Sequence, residues 1–124
     1  MELAAYLRSV VEQDRCAVVI CSTQHEIVYM NPAAAKRYEK SGGYALVGGS
    51  ILDCHDAASG AIIERVLDWF RASEDNNIMY TYRNEKENKD VYMVALRDET
   101  KKLIGYYEKH EYRNRETAKC YDFG

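Results

Sequence analysis

The chain has 124 residues, enough for one domain with a core of its own and too few for two of ordinary size. Hydrophobic residues make up 47% and charged residues 30%, and a net charge of -3 leaves no surplus of positive charge for phosphates, so no direct nucleic-acid partner is expected. The longest apolar run, residues 16–21, is far shorter than a membrane span, and residues 1–15 lack the basic start and apolar middle of a signal peptide; the expectation is a cytoplasmic protein without a membrane partner.

In chain order, Leu3, Tyr6, Leu7, Val10 and Val11 recur at spacings of three and four, which predicts an amphipathic helix within residues 1–15. Two short β-branched runs, CAVVICST and EIVYM, predict a hairpin over about 16–30. Asn31 is a helix cap with Pro32 at the first helical position, and the helix runs on until Gly42-Gly43. After the irregular YALVGGSILDCH, the stripe Ile62, Ile63, Val66, Leu67 and Phe70 predicts a longer helix, capped by Asp56 or Ser59. Three strands follow at about 77–83, 90–97 and 102–112, parted by polar turns, and the tail 113–124 has no period. The order predicts an α+β fold, a five-stranded antiparallel sheet with helices on one face.

This pattern resembles a PAS domain. EIVYMNPAAAKRY resembles that family's second strand and following helix, LVGGSILDCH its glycine-bearing approach to the long helix, and ALRDETKKLIGYYE its last hairpin, with Arg97-Asp98 in the turn and Gly105 in the last strand. More narrowly, residues 48–74 with 91–108 are similar to a PAS subgroup that carries a Cys-His dipeptide here and occurs alone or beside hemerythrin-like modules in anaerobic prokaryotes. The resemblance implies a first helix over 1–15, a PAS domain over 16–112 and an extension over 113–124. It implies Val91, Met93 and Ala95 facing a pocket, with Tyr92, Val94 and Leu96 facing the first helix or a partner, and hence a homodimer. His55, Cys54, Ile63, Val66, Tyr80 and Met93 are its candidate ligand-binding residues.

The residues themselves restrict the chemistry. The thiols and imidazoles fall into no zinc-ligand spacing, and the neighbouring side chains of Cys54 and His55 diverge along an extended segment. Cys54, His55 and Asp56 are consecutive and cannot fold back into a nucleophilic relay, and no GxSxG, P-loop or HExxH is present. The expectation is a non-enzymatic sensory module that binds a small molecule or partner between sheet and helices and transmits a change in dimer or helix packing. A haem sensor of gas or redox state with His55 as axial ligand, and a ligand-free dimerisation module, stand as alternatives. Flavin is not expected, since LDCHD replaces the reactive-cysteine motif of the family's photosensor branch.

Overall fold

The computed structural model describes residues 2–124. The first helix, α1 (Leu3–Glu12), leads into a hairpin of β1 (Val19–Ser22) and β2 (Ile27–Met30). Helix α2 (Pro32–Arg37), three 3-10 turns (Glu39–Ser41, Gly43–Leu46, Ile51–Cys54) and α3 (Ala57–Ala72) follow. The meander β3 (Ile78–Asn84), β4 (Lys89–Arg97) and β5 (Leu103–Tyr112) closes the fold. The sheet order is β2-β1-β5-β4-β3, with every pair antiparallel, so the last strand docks beside the first in the middle of the sheet. Among the described residues no helix is long and apolar enough to cross a membrane.

Asn31 explains how the N-terminal third is joined. Its Oδ1 accepts from the backbone N–H of Ala34, capping α2 as its sequence position predicts, and from that of Val18, each at 2.9 Å. Its Nδ2 donates to the carbonyls of Val11, Asp14 and Cys16, so one buried amide ties α1 and the start of β1 to α2. The regular helix after Pro32 stops at Arg37, short of the glycines, and 3-10 turns take over; Gly43 is left-handed there, and a Cβ on it would crowd the Ala35 carbonyl.

On α3, Asp56 is the cap, accepting from Ser59 N–H at 2.7 Å. Val66, Leu67 and Phe70 are buried, and Ile63 packs against their cluster. Ile62, expected in the same stripe, turns outward and lines a shallow groove with Trp69, Met79 and Tyr80 instead. The far end of α3 is held by Arg97: Nη2 donates to the carbonyls of Phe70, Ser73 and Asn76, and Nε to Asn77 Oδ1. A guanidinium on these terminal carbonyls suits the negative end of a helix.

The phase of β4 is as expected, with Val91 and Met93 buried on the helix side of the sheet. Gly105 on β5 lies against β1 so closely that a Cβ there would stand 2.2 Å from the Cys21 carbonyl oxygen. The first helix departs from expectation. It does not cover the meander: its apolar stripe is open to solvent, Val10 being 69% exposed. Its tethers lie toward its C-terminal end, through Asn31 and through Tyr29, whose hydroxyl donates to Glu12 and whose ring lies 5.4 Å below the Arg8 guanidinium. Period alone reports that a helix face is apolar, not which surface will cover it.

Candidate functional site in the cavity between sheet and helices

A cavity of about 360 Å³ lies between the inner face of the sheet and the helical segments. At about 30 Å³ per molecule of liquid water it has room for roughly a dozen waters, the lower end of small-molecule sites. Val19, Cys21, Ile27, Met30 and Met93 form the sheet wall, and Leu46, Ile51 and Ile63 face them. Ser41, Cys54 and His55, all exposed, mark where it meets solvent.

Three alternate residues of β5, Tyr106, Glu108 and His110, point into this space. They stand directly across from Ala95, Met93 and Val91, and residues opposite one another on antiparallel strands share a face. The Glu108 side chain keeps 47% of its surface accessible, because it faces the open volume. The protein atoms around it desolvate it in part, and this raises its pKa, against the opposing fields of His55, Lys89 and Arg37. Its neighbour within salt-bridge range is His110, whose Nε2 lies 3.4 Å from Oε1. The His110 side chain is 6% exposed, and burial, reinforced by Lys89 and Arg37, pushes its pKa down to about 4; the ring is neutral at pH 7. Its Nδ1 is sealed in the protein without a partner. Placing the ring proton on Nε2, toward Glu108, leaves a lone pair rather than an N–H unsatisfied.

Beside the cavity, Arg37 makes two 2.9 Å bonds to Glu87, which holds that carboxyl down at about 2 and pins α2 to the β3–β4 turn. Lys89 shares Glu87 at 3.5 Å and lies over the Tyr112 ring; its side chain is 2% exposed. Neither cation lines the cavity.

A second polar chain backs the wall. His25, in the β1–β2 turn, is buried with a left-handed φ of 69°. Its Nε2 meets the Glu64 carboxylate on α3, and its Nδ1 is 2.9 Å from the Tyr106 hydroxyl. With the ring N–H given to the carboxylate, Tyr106 donates to Nδ1. Desolvation raises the pKa of Tyr106, and it raises that of Cys21 to about 11, so both stay protonated in the cavity wall. This chain ties β5, the hairpin turn and α3 at one point.

No family model and no curated protein matches the chain. Solved structures do. A C-terminal domain from Streptococcus mutans superposes with a TM-score of 0.64 at 16% identity, over 87% of this chain and 83% of that one. A PAS domain from Colwellia psychrerythraea gives 0.60 at 12% identity, over 89% and 96%. The fold is that of a PAS domain. A sensory box sensor histidine kinase from Vibrio cholerae agrees, with a TM-score of 0.59 at 15% identity over 87% of this chain and 90% of that one.

Within this PAS fold the six residues singled out from the sequence divide. His55, Cys54, Ile63 and Met93 line the cavity. Val66 is buried in the adjoining core, and Tyr80 lies on the opposite side of the sheet. Tyr80 pairs across from Tyr92, on the face that Val91 and Met93 turn away from, where it is 55% exposed and its hydroxyl donates to Asp90. Edge strand β3 alternates as β4 does, and a shift in register between Tyr80 and Tyr82 hides this from a reading of the tyrosines alone. Glu108, His110, Tyr106 and His25 were not anticipated as site residues. His55 donates from Nδ1 to the Ile51 carbonyl at 2.9 Å, leaving Nε2 with its lone pair. That arrangement suits a metal-ligating histidine. A haem in the PAS cavity would meet the Glu108 carboxylate, which opens into it, and about 360 Å³ leaves little room for a porphyrin. Among the described residues, no three His, Cys, Asp or Glu side chains converge as metal ligands.

Proposed function

We propose that the chain is a non-enzymatic sensory module that binds a small organic molecule in the cavity and passes its occupancy to the surface. The observation that supports this reading is the cavity itself: an apolar chamber with a few polar groups gathered on β5, the composition of a small-molecule site. A ligand against Tyr106 bears on the hydroxyl that holds His25 and, through it, Glu64, so binding changes how the hairpin turn sits on α3. The output surface is the uncovered apolar stripe of α1 together with the outer sheet face, where Ile78, Tyr80 and Ile104 are exposed. A second copy of the chain is the partner that such self-complementary apolar surfaces suit.

Native mass spectrometry of the purified chain tests the reading. A retained small molecule is expected, and it should be lost in Ile63→Phe, which adds bulk to the cavity wall. A chain that carries nothing, accepts nothing from a metabolite extract and yet dimerises tightly would overturn ligand sensing in favour of a plain dimerisation module. Added haem is expected to give no Soret band, and a band that His55→Ala removes would reinstate the haem reading.

A further inference from the structure

We infer that the cavity selects a compact organic cation, a small primary amine with an apolar body, and that Glu108 is the residue that recognises it. The inference rests on the cavity being a ligand site and goes beyond it by naming the ligand's chemistry.

The lining contains no lysine or arginine, and its one carboxylate is Glu108. The nearest lysine and arginine, Lys89 and Arg37, stand outside the lining and share Glu87, so neither donates to Glu108 or to a molecule inside; His55 lies at the mouth with Nδ1 bound to the Ile51 carbonyl. His110, the neighbour within reach of the carboxylate, is neutral at pH 7 and offers one N–H at 3.4 Å, longer than a hydrogen bond. Among the described residues Glu108 accepts no hydrogen bond from the protein, yet two oxygens with about four acceptor positions face a space lined mainly by carbon. An ammonium group satisfies that demand; a carboxylate or phosphate would meet repulsion from Glu108 with no lysine or arginine in the lining to offset it. Cys21, Ile27, Met30 and Met93 receive the ligand's apolar part. Burial raises the pKa of Glu108, and an ammonium brought against it favours the ionised carboxylate.

The test is calorimetry on the full chain with phenethylamine, 2-phenylethanol and phenylacetate, and with isoamylamine beside its alcohol and its acid. The amines are expected to bind at least about tenfold more tightly than the alcohols, and the acids more weakly still. Glu108→Gln, which keeps the shape, should bring amine and alcohol to equal affinity, its thermal midpoint showing that the fold is intact. Acids binding as well as amines, or an amine preference that survives Glu108→Gln, would overturn the assignment while leaving the cavity a ligand site. If no probe binds, the molecule retained in native mass spectrometry decides. An amine supports the inference, a neutral or anionic compound overturns it alone, and no retained molecule overturns both it and the sensing role.

Discussion

Replacing Asn31 with alanine should cost this chain about 3 kcal/mol. The side chain is fully buried and makes five hydrogen bonds to backbone groups of three segments. Losing the α2 cap costs about 1 kcal/mol. Leaving the buried Val18 N–H without an acceptor costs about 1–3 kcal/mol more, and the carbonyls of Val11, Asp14 and Cys16, which lie near solvent, add the smaller remainder. With an unfolding entropy of about 2.1 cal/mol/K per residue, 3 kcal/mol lowers the midpoint of a chain of this length by about 11 °C. Urea denaturation followed by far-ultraviolet circular dichroism measures the difference. Asn31→Asp sharpens the test: it keeps both acceptor bonds but turns an anionic oxygen toward three carbonyls. It should be at least as unstable at neutral pH and recover as acid restores a proton there. A loss below about 1 kcal/mol for the alanine variant, or wild-type stability for the aspartate, would refute the assignment of this joint to a single amide.

Gly105→Ala forces a Cβ against the Cys21 carbonyl, a backbone atom that cannot swing aside, and should cost about 3 kcal/mol or more, read as a fall in urea midpoint or loss of soluble chain. Tyr106→Phe leaves His25 Nδ1 without its donor and should lose about 1–2 kcal/mol in the same assay; unchanged stability would mean that the tie from β5 to the turn contributes nothing. His110 titrates near 4 folded against about 6.5 unfolded, so the unfolded state takes up the proton first. Its contribution is complete above about pH 6.5 and is lost as the pH falls toward 4, about 3 kcal/mol in all. Glu108, with its raised pKa, acts with the opposite sign in acid. Urea midpoints across that range should therefore fall less steeply in His110→Phe than in the parent, and equal slopes would contradict the buried neutral ring.

Much of the fold was legible because local chemistry marks it. Asn31-Pro32 and Asp56 announce helix starts, β-branched runs announce β1 and β2, and the alternation of Val91 and Met93 sets the phase of β4. The site was legible on the helical side, where the Cys54-His55 landmark does reach the cavity. On β5 it was not, since YEKHEY is polar on both alternations and gives no inward face of its own. The missing signal was relational: once Met93 faces inward, the residue opposite it does too, which selects Glu108 over Lys109. His25 escaped notice because a histidine in a polar turn reads as solvated, and only the tertiary approach of α3 and β5 buries it.

Trp69 is the chain's single tryptophan, set on α3 beside the buried Phe70 and at the edge of the shallow groove against β3. Excited at the red edge, clear of the eleven tyrosines, its emission reports one spot alone: the seam between the long helix and the edge strand. The domain thus carries an intrinsic optical probe placed outside the chamber. A wavelength shift on adding an amine would record movement of the helix rather than contact with the added molecule, and it would do so without a label.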